Sequence, residues 1–470
     1  MNIERLMDLS WVLMKRYTED EKGELPVRYR SRKIIEIADK LLKDPSMSPR
    51  VVLLNGLRGV GKTTTLFQMM RSLEGNGVDR DDILYFSMDR ASLSGLDIRD
   101  IIEMYENKVL RNHMASVDRT IFILIDEAHY SPKWDLQIKT LSDEAPNAVF
   151  IATGSSALEI TTSADLSRRS LLRTIPPLSF IEYLEIKTRK EKTIKNNPKT
   201  FTSLFNKDNA ESALETYENN VSDTRKVIRS LGGSSPGNLD YYVFHGGLPF
   251  SVNSMDPPQQ IYEMVRKIIE KDVPLAGDHD TGTLRNIPRV LGIMSGSPDI
   301  SLNSMARDID GLSTTSVRAL LDTLERTGLI FEVKKTGGTS NTLRSDTRKY
   351  FISSSITSAI QSSMGNDPRS AMGAIIETAA VSTIKRNLSE NPAMNIKYMK
   401  GSGMADLILE YGDKNISVEI GSGKKVKGPR QLKKTIAKSG SDYGILVSSR
   451  EEVEVAENIL TIPIREFLSL

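Results

Sequence analysis

The sequence predicts an α/β protein organised around a parallel β-sheet, and two stretches support that prediction. Residues 51–70 read as a buried strand (Val51–Leu54), a glycine-rich loop and a helix, in that order. A second apolar run, Thr120–Ile125, reads as another buried strand and ends in the acids Asp126 and Glu127. Short apolar strands that alternate with helical patterns are typical of a three-layer fold, with helices on both faces of a parallel sheet.

The glycine-rich loop Gly56–Thr63 fits the pattern G-x-x-x-x-G-K-[ST]. Its glycines let the backbone curl so that successive amides point at one anion, and the helix N-terminus adds partial positive charge. We therefore predict a phosphate-binding (P-loop) site for ATP, in which Lys62 neutralises the outer phosphates and Thr63 binds Mg²⁺. A chance glycine turn before a helix is the alternative. The predicted nucleotide contacts are Gly56, Arg58, Gly59, Val60, Gly61, Lys62, Thr63 and Thr64.

The two acids at the end of the second strand have a use beside a phosphate loop. Asp126 is expected to hold Mg²⁺ through water, and Glu127 to polarise the attacking water as a catalytic residue. The alternative is that the acids cap the next helix. A further strand, Val149–Thr153, ends in the polar residues Thr153, Ser155 and Ser156, where a hydroxyl or amide is expected to sense the terminal phosphate. Ser155 is the predicted site residue.

The loop 165–169 contains two arginines, Arg168 and Arg169, ahead of a fifth predicted strand, Leu171–Ile175. Either arginine could stabilise charge on the transferred phosphoryl group, in cis or from a neighbouring subunit. Two arginines after a loop are also often only exposed or structural, so both interpretations stay open.

A second enzyme class shares part of this pattern. The letters Asp126-Glu127-Ala128-His129 match one helicase class, and residues 152–155 occupy the place of its Ser-Ala-Thr element. Such helicases need a second nucleotide-type α/β domain with arginine-rich motifs. Nothing after Thr200 reads that way, so the helicase interpretation is the weaker one.

The composition is that of an ordinary globular chain. Hydrophobic residues make up 39% and charged residues 26% of the 470 residues, which excludes a disordered chain. Lys plus Arg is 63 against 61 Asp plus Glu, so any nucleic-acid surface must be local. The chain has no cysteine, no apolar run long enough for a membrane span and no apolar core at its N-terminus, and we expect a cytoplasmic protein.

The residues from Ile121 to Leu184, together with His245-Gly246-Gly247-Leu248-Pro249, resemble predicted AAA-type ATPases of archaea and bacteria. In that family an ATPase core is followed by a winged helix and a C-terminal restriction-endonuclease-like domain of unknown function (DUF4143-like). The resemblance implies an AAA-like strand order and the roles given above to Lys62, Thr63, Asp126 and Glu127. The family has Gly-Arg where this chain has Arg168-Arg169.

The C-terminal half contains two further predicted modules. Residues 300–335 read as two helices and a hairpin, a winged helix that either places Thr314, Thr315 and Arg318 on DNA or serves only for packing. After it, the resemblance to restriction endonucleases implies a second metal site at Glu377, Asp406 and Glu419. The resemblance places a lysine where this chain has Gly421, and Lys424 and Lys425 are the nearest lysines. The domain therefore either cleaves DNA or only binds DNA or a partner.

The predicted organisation has four parts. They are an AAA-like P-loop core with N-terminal helices (1–186), a helical lid or insertion (187–290), a winged helix (291–350) and a restriction-endonuclease-like α/β domain (351–470). The predicted function is Mg²⁺-dependent ATP hydrolysis coupled to DNA or to a partner protein, with a homo-oligomer as one form of partnership. The alternative is a nucleotide-dependent binding switch with negligible turnover.

Overall fold

The computed structural model describes residues 2–155, 163–191, 201–336, 347–389, 391, 393–421 and 428–470. The chain divides into two compact units. Unit 1 comprises Met1–Pro176 and Arg326–Gly328, and unit 2 comprises Pro177–Glu325 and Leu329–Leu470. None of the described helices is both long and apolar enough to span a bilayer.

Unit 1 is built on five parallel strands. Its strands are β1 (Glu19–Asp20), β2 (Gly23–Glu24), β3 (Val51–Asn55), β4 (Ile83–Ser87), β5 (Ile121–Asp126), β6 (Ala148–Thr153) and β7 (Ser170–Thr174). The sheet order is β4-β5-β6-β3-β7, and β1 and β2 form a separate hairpin. Every neighbouring pair in the five-stranded sheet is parallel. The segments that follow β3, β5 and β6 therefore leave the sheet at one shared edge.

The helices of unit 1 bury apolar faces against this sheet. Ile3 and Met7 of the first helix join the buried cluster that contains Leu84 and Phe86 of β4. The α-helices are α1 (Ile3–Thr18), α2 (Tyr29–Lys43), α3 (Lys62–Gly75), α4 (Met88–Ala91), α5 (Ile98–Tyr105), α6 (Trp134–Glu144) and α7 (Ala164–Arg168). Short 3-10 helices span Arg80–Asp82, Ser92–Ser94, Met114–Ser116 and Ala128–Tyr130, and a π-helix spans Glu106–Leu110.

Unit 2 contains a mixed eight-stranded sheet. Its strands are β8 (Ile330–Lys335), β9 (Arg348–Phe351), β10 (Met394–Tyr398), β11 (Leu407–Tyr411), β12 (Lys414–Ile420), β13 (Tyr443–Ser448), β14 (Glu454–Ala456) and β15 (Ile459–Pro463). The order is β14-β15-β13-β12-β11-β10-β8-β9. The pairs β8–β9, β10–β11, β11–β12 and β14–β15 are antiparallel, whereas β8–β10, β12–β13 and β13–β15 are parallel.

The remaining elements of unit 2 are helices. They are α8 (Phe180–Thr188), α9 (Ala210–Ser230), α10 (Pro236–His245), α11 (Pro257–Lys267), α12 (Val273–Ala276), α13 (Thr281–Arg285), α14 (Ile287–Gly296), α15 (Leu302–Asp308), α16 (Thr314–Arg326), α17 (Ser354–Ser363), α18 (Met372–Leu388), α19 (Gly428–Ser439) and α20 (Ile464–Phe467). Two 3-10 helices, Pro249–Ser251 and Pro368–Ala371, and a π-helix, Ile268–Asp272, complete them.

Helices α15 and α16 and the β8–β9 hairpin follow one another in the order that the sequence predicts for a winged helix. The hairpin does not stand apart, because Lys334 and Lys335 of β8 pair with Lys397 and Tyr398 of β10. One sheet thus runs from the predicted wing into the C-terminal strands. The winged-helix assignment and the four predicted boundaries stay predictions.

Candidate nucleotide-binding site

The loop between β3 and α3 has a backbone that only glycine adopts readily. Gly56, Gly59 and Gly61 have φ angles of +150°, +83° and +99°, a region that costs other residues steric energy. A Cβ atom on Gly56 would lie 2.5 Å from the carbonyl oxygen of Ile175. Gly61 caps the N-terminus of α3 in a left-handed conformation. The loop is therefore held in a tight curl directly in front of a helix N-terminus.

Lys62 is folded into this curl. Its Nζ donates hydrogen bonds to the carbonyl oxygens of Gly56 (2.8 Å) and Leu57 (3.2 Å). The side chain is buried, at 5% exposure. The Lys62 ammonium group is held at the mouth of the loop by main-chain carbonyls. It can exchange these hydrogen bonds for bonds to an anion that binds in the same place.

The Asp126 carboxylate lies beside the loop and accepts hydrogen bonds from several hydroxyl groups. Oδ2 accepts one from Thr63 Oγ1 at 2.8 Å, and Oδ1 accepts one from Thr153 Oγ1 at 2.5 Å. Burial and the charge of Glu127 raise the pKa of Asp126, whereas the two threonine bonds and the charge of Lys62 lower it. The donors come from α3 and β6, so the fold brings two separate stretches of sequence to one carboxylate.

Glu127 follows in a strained backbone conformation. Its φ and ψ are +52° and +47°, the left-handed region that non-glycine residues seldom occupy. Its N–H donates to Thr153 Oγ1 at 3.0 Å, and its Oε2 lies 3.5 Å from His129 Nδ1. The side chain is 17% exposed. Strain of this kind persists where the surrounding contacts impose it, and it turns Glu127 away from the direction of β5.

The donor set at this edge suits a magnesium nucleotide. A threonine hydroxyl and a carboxylate oxygen, 2.8 Å apart, are hard oxygen ligands of the kind Mg²⁺ takes together with water and phosphate oxygens. The left-handed glycines and the N-terminus of α3 supply main-chain N–H groups for phosphate. The residues present therefore fit the metal and the nucleotide that the sequence predicts.

The contacts of two residues near this site were not predicted from the sequence. Thr153 bonds both acids, whereas the predicted hydroxyl, Ser155, lies buried two residues further on. From the sequence, the basic stretch Arg28, Tyr29, Arg30 and Arg32 is either an adenine contact or part of a solvated loop. In the structure Arg28 is buried, and its guanidinium donates to the carbonyl oxygens of Val60 (2.7 Å) and Pro176 (2.8 Å). No local pattern predicts such long-range contacts.

Arg168 and Arg169 lie at the amino ends of the parallel strands, opposite the carboxyl ends where the phosphate loop lies. Ser170, the next residue, pairs with Val51 at the start of β3, and the phosphate loop begins only after Asn55. Four residues of strand correspond to about 13 Å, farther than an arginine side chain reaches, and a catalytic role for either arginine stays a prediction. Both side chains are exposed (76% and 55%) and paired with Asp165 and Asp143.

Three predicted acids of unit 2 lie close enough to influence one another. Burial raises the pKa values of Glu377, Asp406 and Glu419, and the charge of Asp406 raises those of Glu377 and Glu419 further. Glu419 is 7% exposed, and its Oε2 is buried without a hydrogen-bond partner in the described structure. Arg348 enters this acid cluster, since its Nη1 donates to the main-chain oxygen of Asp406 (2.8 Å) and lies 3.9 Å from Glu377 Oε1.

The acid cluster is not a ready-made metal site. Among the described residues no group of three or more His, Asp or Glu side chains is arranged to hold a metal ion. Tyr350 donates to Glu377 Oε1 at 2.7 Å, and the N–H of Ile420 donates to Asp406 Oδ2 at 2.8 Å. The predicted lysine of this site, Lys424, lies outside the described residues, as does Lys425.

The strand order, the loop after β3 and the acids after β5 define unit 1 as a P-loop nucleotide-binding core. Residues 48–184 match the family model of the AAA domain, and this match supports an AAA-type ATPase core in unit 1. A second match, over residues 237–367, is to a domain of unknown function (DUF8612). That match runs from α10 to α17, includes the predicted winged helix and ends before α18.

Similar proteins extend along most of the chain. The uncharacterized protein MJ1637 of Methanocaldococcus jannaschii is 29% identical over 469 residues, which cover 98% of this chain and 91% of the relative. An uncharacterized protein of Haemophilus influenzae is 23% identical over 311 residues, 64% of this chain and 66% of the relative. The names of these relatives state no activity.

Two solved structures are similar at low scores. AMPPCP-bound DnaA from Aquifex aeolicus has a TM-score of 0.27 and 16% identity, covering 64% of this chain and 89% of that one. The Aeropyrum pernix ORC1 protein in complex with DNA has a TM-score of 0.30 and 13% identity, covering 75% of this chain and 96% of that one. TM-scores of this size do not establish a common overall fold.

Proposed function

We propose that this protein binds ATP and hydrolyses it in a Mg²⁺-dependent reaction at the carboxyl edge of the unit 1 sheet. One observation carries the proposal: Thr63, directly after the lysine of the phosphate loop, donates at 2.8 Å to the Asp126 carboxylate at the end of β5, which β6 separates from β3 in the sheet. If Asp126 only capped the next helix, its carboxylate would not need to contact the phosphate loop. The contact joins residues that are 63 positions apart, and the AAA domain match covers both.

Each side chain then has a distinct task. Lys62 would leave the loop carbonyls and neutralise the outer phosphates, while the loop N–H groups hold the phosphate chain. Thr63 and Asp126 would hold Mg²⁺, which neutralises charge on the phosphate oxygens when it is bound. Glu127, with a carboxylate oxygen near His129, would orient the attacking water and accept its proton. Thr153 Oγ1 bonds the Asp126 carboxylate and the main-chain N–H of Glu127, and so holds the two residues in a fixed relative position.

A second copy of the chain is the partner that this chemistry favours. Arg168 and Arg169 are exposed, and they lie on the edge of the sheet that faces away from their own phosphate loop. If either arginine stabilises the transferred phosphoryl group, it would do so at the site of a neighbouring subunit. The test is the dependence of turnover per chain on protein concentration, together with mass in solution with and without a non-hydrolysable ATP analogue.

The decisive experiment compares steady-state ATP hydrolysis and nucleotide binding for wild type, Glu127→Gln and Lys62→Ala. We expect Glu127→Gln to lose turnover by at least about a hundredfold and to retain ATP, because it lacks only the base. Lys62→Ala should lose binding as well. Glu103→Gln, an exposed glutamate of α5, is the matched control and should behave as wild type.

The alternative is a nucleotide-dependent switch with negligible turnover. It predicts tight ATP binding by wild type with no hydrolysis for Glu127→Gln to abolish.

The helicase alternative loses its support, since the sheet of unit 2 is mixed and begins with a hairpin, whereas a second nucleotide-type domain requires a parallel sheet. A cytoplasmic location stays a prediction.

Coupling of ATP to DNA rests on unit 2. Thr315 and Arg318 are exposed on α16, and Thr314 Oγ1 bonds Asn303 at 3.3 Å, so this helix presents polar side chains outward. A titration with duplex DNA at two salt concentrations tests the contact, because phosphate contacts make affinity fall steeply with salt. Binding that is unchanged in Arg318→Ala would assign α16 to packing instead.

A second candidate function, phosphodiester cleavage, is favoured by the acid cluster. Glu419 has a buried carboxylate oxygen with no hydrogen-bond partner among the described residues, and a divalent cation shared with Asp406 would satisfy it. Incubation of plasmid with Mg²⁺ or Mn²⁺ tests the proposal, with Asp406→Ala as the comparison. Equal products from wild type and variant would remove it and leave the cluster a structural one.

A further inference from the structure

Tyr85 reaches the proposed magnesium ligand from β4. Its hydroxyl donates to Asp126 Oδ2 at 3.2 Å, and the same oxygen accepts the bond from Thr63. Burial and the charge of Asp126 raise the pKa of Tyr85 far above its ordinary value, so the hydroxyl keeps its proton and remains a donor. Together with Thr153, three donors from three different elements hold the two carboxylate oxygens.

The ring of Tyr85 is fixed by other aromatic rings. Its centroid lies 4.4 Å from that of Phe67 on α3, and Phe67 stacks on Tyr17 of α1 with centroids 5.0 Å apart. We refer to Tyr17, Phe67 and Tyr85 as the aromatic column. Phe67 is fully buried and lies five residues after Lys62, so the helix that begins at the phosphate loop also supports the tyrosine.

The N-terminal segment clamps the outer end of the column. Arg71, one turn further along α3, pairs with Glu19 at 2.6 Å and with Glu24 at 2.6 Å, both in the β1–β2 hairpin that follows α1. These partly exposed ion pairs contribute little energy. They show that the hairpin after α1 contacts α3 close to Tyr17, so the column extends from this contact to the Asp126 carboxylate.

We infer that Tyr85 is a positioning residue for the metal: its hydroxyl, held by the aromatic column, prevents the Asp126 carboxylate from rotating away from Thr63. The inference rests on the proposed function and adds to it a role for β4, which none of the motifs contains. Metal ligands commonly depend on such outer hydrogen-bond partners, whose loss weakens metal affinity. The expected consequence is a specific dependence of Mg²⁺ affinity on one hydroxyl group.

The test is a Mg²⁺ titration of the full chain with a fluorescent ATP analogue, comparing wild type and Tyr85→Phe. We expect the half-saturating Mg²⁺ concentration to rise about tenfold in the variant. Binding of the analogue without Mg²⁺ should stay within about twofold, because the loop and Lys62 are untouched. Binding of Mn²⁺ in the presence of ADP, followed by electron paramagnetic resonance, gives a direct metal readout besides activity.

Tyr105→Phe is the matched control. Tyr105 is also a buried tyrosine of unit 1. Its hydroxyl donates at 2.5 Å to the main-chain oxygen of Asp81 and not to Asp126. It should lose comparable stability and leave the Mg²⁺ titration unchanged. A second variant, Phe67→Leu, keeps the Tyr85 hydroxyl and removes its support, so it should shift the Mg²⁺ midpoint in the same direction by a smaller factor.

The outcomes separate the inference from the proposed function. Wild-type protein that binds ATP with Mg²⁺, and a Tyr85→Phe variant with the wild-type midpoint, would overturn the role of Tyr85 and leave the proposed function standing. An equal shift in Tyr105→Phe would overturn it too, since the effect would then be general loosening. Wild-type protein that binds no nucleotide at all would overturn both.

Discussion

Thr153 is the hydroxyl group whose loss should damage the site most for the smallest change in shape. Its Oγ1 donates to Asp126 at 2.5 Å and accepts from the N–H of Glu127 at 3.0 Å. Thr153→Val replaces the hydroxyl by a methyl group of similar size, so no cavity forms. The substitution removes both bonds and leaves the N–H of a strained residue without its partner.

The magnitude follows from those two bonds. A hydrogen bond to a charged group contributes about 1.5–3 kcal/mol, and a buried donor left unpaired costs about 1–3 kcal/mol. Since the Glu127 N–H is only partly buried, we expect unit 1 to lose about 2–4 kcal/mol of unfolding free energy. Glu127 should also leave its left-handed conformation in part of the molecules, which lowers turnover roughly tenfold to a hundredfold.

The assays are denaturant unfolding with and without ATP, and steady-state hydrolysis. Nucleotide binding without Mg²⁺ should be close to that of wild type, because Thr153 does not touch the loop. Thr153→Ser keeps the hydroxyl and is the control, with near wild-type turnover expected. Equal turnover in Val and Ser variants would refute the view that this hydroxyl holds the two acids.

Two further predictions concern the loop and the acid cluster. Gly56→Ala should abolish nucleotide binding and destabilise unit 1 by more than about 2 kcal/mol, because its Cβ would meet the Ile175 carbonyl oxygen. Gly77→Ala is the control, since Gly77 has a φ of +86° and open space around its Cβ, and it should cost only the backbone strain. Denaturant unfolding measures both. The pKa of Glu419 is raised to about 9 from an ordinary 4.5, so between these values the unfolded chain binds fewer protons and unit 2 should lose stability as pH rises. Glu419→Gln should flatten that decline in unfolding midpoints measured from pH 5 to 9 with chelator; a wild type more stable at pH 9 than at pH 6 would contradict it.

Local patterns predicted much of unit 1. The order strand, glycine loop, helix at residues 51–70 and the strand that ends in Asp126 were predicted from short-range features, since apolar runs and glycines encode them directly, and the observed helix continues to Gly75. The α/β class and the AAA-type core are confirmed. In the structure Thr63 Oγ1 donates to Asp126, and the role of both residues in holding Mg²⁺ stays a prediction.

Contacts between distant residues could not be predicted in the same way. Arg28 bonds to Pro176, 148 residues away, and Tyr85 bonds to Asp126, 41 residues away. Both depend on which strands become neighbours, and no periodicity of one segment contains that information. The position of Arg168 and Arg169 is a similar case, because only the register of β7 against β3 shows on which edge of the sheet they lie.

The first helix of the chain has a practical consequence for anyone who isolates the ATPase part. The AAA domain match begins at residue 48, yet Ile3 and Met7 lie in the same buried cluster as the sheet. The last residues of the matched segment, Phe180 to Leu184, belong to the core of unit 2. A recombinant fragment trimmed to 48–184 would expose apolar surface at both ends and should precipitate, whereas one covering residues 1–176 keeps the cluster closed.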